Sequence, residues 1–175
     1  GDDIYTDTNI IKKIITEFKK SNADCYQITG VPVGFTPIGF KISTLKHAHH
    51  SFDIDHQGRD SFRHRQAGAS EVMLSSNNRW ALMHELRGEP EPSFAELITM
   101  MKPVDLILVE GFKKEQHSKL ECHRAENNEN FIYKSDNSVR LIASDVPIDN
   151  ASIPNIDLND TIGIADFILE HQGLK

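Results

Sequence analysis

Cysteine is scarce in this sequence: there are only two, Cys25 and Cys122, far apart and in no CxxC spacing. That excludes a zinc ribbon or a thioredoxin-like redox motif and predicts reduced thiols. Long apolar runs are missing too. None approaches the roughly 18 residues needed to span a bilayer, and the first residues lack the basic-then-apolar layout of a secretory signal, so the chain reads as soluble and cytoplasmic, with no membrane partner. Positive charge is in deficit, with a net charge of -7. A general nucleic-acid binder needs a clustered basic surface, which argues against nucleic acid as a partner. No segment matches the phosphate-binding pattern G-x-x-x-x-G-K-[ST]. In the nearest string, Gly34-Phe-Thr-Pro-Ile-Gly39-Phe-Lys41-Ile-Ser43, the lysine is misplaced, whereas a working loop keeps glycine, lysine and hydroxyl contiguous.

What is present is enough for one globular domain: 175 residues, 38% hydrophobic and 26% charged. Ile10, Ile11, Ile14, Ile15 and Phe18 stand at helical spacing within Asn9 to Lys20. Cys25 to Thr29 reads as a short strand, and the following stretch to Gly39 reads as loop, because its prolines and glycines break any period. Ile42 to Lys46 is the next strand, Arg59 to Ala69 a helix, and Glu71 to Leu74 with Trp80 to His84 a hairpin around Ser75-Ser-Asn-Asn78. Ser93-Phe-Ala-Glu96 is a capping box opening a helix through Met101, whose apolar face should pack on a sheet. Val104 to Val109 is nearly continuous and branched, as expected of a central parallel strand covered on both faces. Strands at Lys119 to His123 and Val139 to Ala143 and a last helix from Asp160 complete an alternating α/β layered domain.

Strand ends carry the candidate chemistry, because ligands of open α/β sheets gather at the carboxyl edge. Glu110 ends the strongest strand. A carboxylate there can hold Mg²⁺ beside phosphates, or it is simply a solvated strand end. Lys46-His47-Ala48-His49-His50 follows another strand. It reads as an anion site, as a transition-metal site supported by Asp53, Asp55 and His56, or as a polar loop. Arg59 and Arg63, at i and i+4, would point along one helix face and suit phosphate. Asp60 at that helix start is better read as a cap. Asp145, after the strand ending at Ala143, can accept from both N1 and N2 of guanine, although a turn carboxylate before Pro147 is the commoner explanation.

Phe40 to Asp55, Gly58 to Ala69, Arg79 to Leu86 and Asp105 to Lys113, taken together and in order, closely resemble the molybdopterin-guanine dinucleotide biosynthesis protein B family. The likeness continues through Ile142 to Pro147 and Ile156 to Asp160. It identifies one domain over residues 1–175, with 1–40 an atypical N-terminal segment and 41–175 family-like. The resemblance implies a P-loop-NTPase-like α/β fold with a mostly parallel central sheet flanked by helices. It also implies a homodimer that binds GTP with Mg²⁺, is at most a weak GTPase, and partners the guanylyltransferase joining GMP to molybdopterin. By the same resemblance Glu110 is the Walker B-like Mg²⁺ acid. Lys46, His47, His49 and His50 form an anion- or molybdopterin-facing cluster joined by Arg59 and Arg63, and Asp145 is a base contact.

The N-terminus departs from the family pattern of strand, phosphate loop and helix. If Tyr26 to Gly30 is the first strand, Val31 to Lys41 leaves little room for a parallel crossover. If Asn9 to Lys20 is the crossover helix, Ala23 to Thr36 is an insertion. Either way the phosphate loop is missing or degenerate, so GTP binding is expected to be weak or absent. Three functions compete: a GTP-binding adaptor, a scaffold that binds the transferase or molybdopterin without GTP, and a His-rich metal binder.

Overall fold

The computed structural model describes residues 25–29 (backbone only), 41–48 and 52–174. The expected helix from Asn9 to Lys20, the loop to Gly39, and His49 and His50 lie outside them. In chain order the elements are β1 (Cys25–Thr29), β2 (Ile42–Lys46), α1 (Asp60–Gln66), β3 (Glu71–Ser75), β4 (Trp80–His84), α2 (Phe94–Met100), β5 (Leu106–Glu110), β6 (Lys119–His123), β7 (Val139–Ser144), β8 (Asn155–Asp157) and α3 (Thr161–His171). They fall into two compact units, one running to His47 and resuming at Lys102, the other Ala48–Met101.

The first unit is built on a six-stranded sheet in the order β2-β5-β1-β6-β7-β8. Strands β2 and β5 are parallel, as are β6, β7 and β8, while β1 is antiparallel to both its neighbours, β5 and β6. Five strands therefore share one direction and a single carboxyl edge, formed by Lys46, Glu110, His123, Ser144 and Asp157. The sheet is mostly parallel, as expected, but β5 is parallel on one side only. Every residue of β5 is buried, which is the burial a continuous apolar run implies. It starts two residues later than the apolar run because Asp105 turns out to Lys41, whose N–H donates to Asp105 Oδ2 at 2.7 Å.

Helix α3 covers one face. Its Ile164, Ala165, Ile168 and Leu169 pack against Leu106, Leu108, Leu120, Leu141 and Ala143, the alternate residues of three strands. Each large aliphatic side chain so buried contributes about 1.5–3 kcal/mol. Asp160 caps the helix by accepting from the Gly163 N–H at 2.9 Å. Lys119 is an exception to the apolar interior: its side chain is fully buried, with Nζ donating to the Lys113 carbonyl at 2.7 Å and to Asp136 Oδ2 at 2.5 Å. A register irregularity between Lys119 and Leu120 marks the spot, the kind of defect that re-aims a side chain.

In the second unit β3 and β4 form the expected hairpin, with Met73 opposite Leu82 and Ser75 opposite Trp80. The capping box of α2 forms as read, Ser93 accepting from the Glu96 N–H while the Glu96 carboxylate accepts from the Ser93 N–H. Its apolar Phe94, Leu97 and Ile98 are only half-buried, short of the expected burial against a sheet. The cap of α1 is a correction. Arg59, not Asp60, holds the cap position, with no side-chain bond, and Asp60 is the first helical residue, where its charge favours the positive end of the helix.

Candidate functional site at the carboxyl edge of the sheet

Parallel pairing puts Lys46 directly beside Glu110. Lys46 Nζ donates to Glu110 Oε1 at 2.5 Å, and the two side chains are 59% and 9% exposed respectively. Lys46 is the solvent-facing partner and can meet an incoming anion, while Glu110 is buried and fixed in the strand, so its carboxylate needs a replacement cation if Lys46 turns away. One residue on, the His47 N–H donates to the Glu110 carbonyl at 2.8 Å and extends the ladder.

Gly111 makes this corner possible. Its φ is +95°, and a Cβ placed there would lie 2.7 Å from His47 Cβ. The chain then turns through Phe112, at φ +52°, whose ring centroid sits 4.9 Å from that of His47. We expect Gly111→Ala to destabilise the fold by about 1–3 kcal/mol, the sum of a left-handed backbone and a steric conflict. A urea midpoint unchanged from the parent protein would contradict the close approach. The contact of Gly111 with His47 joins residues too far apart in the chain to be seen by reading the sequence.

The other candidates are distributed. Asp145 follows β7 at the same edge, and its Oδ1 accepts from the Ala125 N–H at 3.0 Å, tethering the loop after β6. Arg59 and Arg63 belong to the second unit, one helical turn apart, with Arg63 exposed and 3.9 Å from Asp60. Reading the sequence missed Arg65. Only 15% exposed, it reaches Asp53 at 2.9 Å, Asp55 at 2.8 Å and Glu85 at 3.4 Å. Asp53 and Asp55, which would have supported a metal site with the histidines, are thus engaged by a guanidinium, and no metal-holding cluster occurs among the described residues. Also missed was Glu121, a buried carboxylate accepting from the N–H groups of Ile132 at 2.7 Å and Tyr133 at 2.9 Å.

The direction of β1 bears on the phosphate loop. It lies between β5 and β6 at the centre of the sheet, but Tyr26 pairs with Glu110 and Thr29 with Ile107. Its carboxyl end therefore faces away from the edge that carries Glu110. The carboxylate itself fits Mg²⁺, a hard cation that keeps several waters and needs only one or two protein carboxylates beside phosphate oxygens.

The model of the family described as molybdopterin guanine dinucleotide synthesis protein B matches residues 33–145. The chain belongs to this family. The molybdopterin-guanine dinucleotide biosynthesis adapter protein of Escherichia coli (strain K12) is 39% identical over 137 residues, covering 75% of this chain and 77% of that protein. Its counterpart from Haemophilus influenzae is 35% identical over 131 residues, 73% and 71% of the two chains. A crystal structure of molybdopterin-guanine biosynthesis protein B superposes with a TM-score of 0.60 at 14% identity, covering 95% of this chain and 94% of that one. Bacillus subtilis MobB gives 0.58 at 18% identity, covering 97% and 93%. These likenesses show that the chain shares the mixed α/β fold of those structures. Among the described residues no helix is long and apolar enough to cross a membrane.

Proposed function

We propose that this protein serves as the adaptor of molybdenum-cofactor guanylation, holding a guanine nucleotide with Mg²⁺ beside Lys46, His47 and Glu110 for the guanylyltransferase that attaches GMP to molybdopterin. Membership of the family supports the adaptor role, and the observation that carries the nucleotide reading is the Lys46–Glu110 pair at the shared carboxyl edge. In this reading Glu110 holds the cation, which when bound neutralises phosphate charge, and Lys46 turns from the carboxylate to the phosphate oxygens. Asp145 stands further along the same edge and is the proposed contact for the base. A second copy of the chain is the other proposed partner. The hairpin supports a protein contact, because Met73, Trp80 and Leu82 on one of its faces are 63%, 60% and 43% exposed.

The reversed β1 favours a second reading, a scaffold that engages the transferase or molybdopterin through the same edge without binding GTP. Calorimetric titration separates the two. Micromolar, Mg²⁺-dependent GTP binding that weakens at least about tenfold in Glu110→Ala, the loss of one charge-assisted interaction, supports the nucleotide adaptor. Heat-silent titration of the folded protein leaves the scaffold.

A further inference from the structure

Lys119 lies inside the fold, yet one of the groups it holds belongs to an exposed loop. The chain leaving Glu110 turns through two successive left-handed residues, Gly111 at φ +95° and Phe112 at φ +52°. From Lys113 to Gln116 the residues are exposed. The Lys113 carbonyl nonetheless accepts from Lys119 Nζ at 2.7 Å, and the lysine side chain is 0% exposed. The second partner of that ammonium, Asp136 Oδ2, precedes β7.

Strand register explains how an interior lysine comes so near the ligand edge. Tyr26 of β1 pairs with Glu110 on one side and Leu120 on the other, and Gln27 pairs with Val109 and Lys119. Lys119 therefore stands level with Val109, one residue short of Glu110 and two strand spacings, about 10 Å, away. Leu120 packs with α3, so alternation turns Lys119 to the opposite face of the sheet. The lysine side chain and the residues from Glu110 to Lys113 close the gap between them. A bulky residue in the left-handed region is strained and persists only where its surroundings fix it. Phe112 is held on both sides: its ring lies 4.9 Å from that of His47, and the next carbonyl is the one bound by Lys119. Its own carbonyl accepts from the Glu115 N–H at 3.0 Å.

We propose that Lys119 is a positioning residue for the edge site: by gripping the Lys113 carbonyl from inside the fold, it holds Phe112 against His47 and fixes the wall beside Glu110. The inference rests on the reading that Lys46, His47 and Glu110 receive phosphate. An interior tether suits this task, because a surface pair is weak and screened by salt, whereas a fully buried ammonium is not. Lys119 acts through geometry, since its charge is matched by Asp136 and not offered to a ligand.

The imidazole Cε1–H resonance of His47, assigned by its loss in His47→Gln, reports the neighbouring Phe112 ring and needs no ligand. Phe112→Leu gives its position without the ring. In Asp136→Asn, which keeps the bond from Lys119 to Lys113, the resonance is expected at the parent position. In Lys119→Met/Asp136→Asn, which removes the tether, it should move to the Phe112→Leu position. The dissociation constant for GTP·Mg²⁺ should rise about three- to tenfold in the double variant alone, the loss of a pre-organised wall. A lysine that only stabilised the fold would change the urea midpoint and leave the resonance of the folded protein in place. Hydrogen exchange of the parent protein tests the tether without any substitution: the Glu115 amide should exchange at least about a hundredfold more slowly than in an unstructured peptide, although its residue is exposed. The proposal is overturned if the double variant keeps the parent resonance, if Asp136→Asn displaces it as far, or if the Glu115 amide exchanges at the peptide rate. Failure of GTP to bind the parent would count against the nucleotide reading and leave the resonance and exchange results standing.

Discussion

Replacing Lys119 with methionine is expected to remove about 3–5 kcal/mol of stability, the usual cost of breaking a buried ion pair from one side. Methionine retains most of the apolar stem but leaves the Asp136 carboxylate and the Lys113 carbonyl without their ammonium. Lys119 is 1% exposed and sits where β6 meets β7, so water cannot readily replace it. Domains of ordinary stability have only about 5–15 kcal/mol in total, and the variant should unfold at markedly lower urea. The double variant Lys119→Met/Asp136→Asn should recover part of the loss, since asparagine removes the stranded charge and still accepts from the Ser138 N–H and hydroxyl. A single variant within about 1 kcal/mol of the parent would mean the pair is not closed off from solvent.

That lysine also shows where reading a sequence stops. The strands were legible because β-branched runs end at turn residues, and Ser93 with Glu96 announced a helix through purely local bonds. Lys46 and Glu110 were legible for a related reason, since a residue closing a parallel strand falls on the ligand edge whatever the rest of the fold does. Nothing local marks Lys119 as buried: lysines are rarely interior, and its partner lies in a loop beyond the strand. Strand polarity is equally hidden. Cys25 to Thr29 was found as a strand, but its reversal depends on pairing with β5 and β6, which no pattern inside five residues encodes. Asp145 was expected at the edge and stands there, yet its oxygen accepts from Ala125, a contact set by the loop after β6. The helix start at Asp60 was misread by one position because an aspartate favours both the cap and the first turn.

The polar cluster around Lys119 should also make the protein acid-sensitive, in two steps. Burial, reinforced by the charge of Lys119 and opposed by Asp136, pushes the His117 imidazole down to about 4 from an ordinary 6.5. The unfolded chain then binds a proton through that range that the folded chain refuses, so stability is full above pH 6.5 and declines as pH falls toward 4. Burial alone would raise the Asp136 carboxyl, but the hydrogen bonds from Lys119 and Ser138 outweigh it and hold the group at about 2, below its usual 3.8. Its contribution, about 2 kcal/mol at roughly 1.4 kcal/mol per pKa unit, is present above pH 3.8 and lost as pH falls toward 2. The His117 step should be of similar order, on the order of 1–2 kcal/mol once solvent screening of a partly buried ring is allowed for. Urea midpoints measured across this range should therefore fall through both windows. His117→Gln should flatten the upper window and leave the lower one in place, because glutamine cannot take up the proton. A midpoint for the parent that stays level between pH 6.5 and 4, or a His117→Gln profile that follows the parent's, would show that the imidazole is not held neutral by burial beside Lys119.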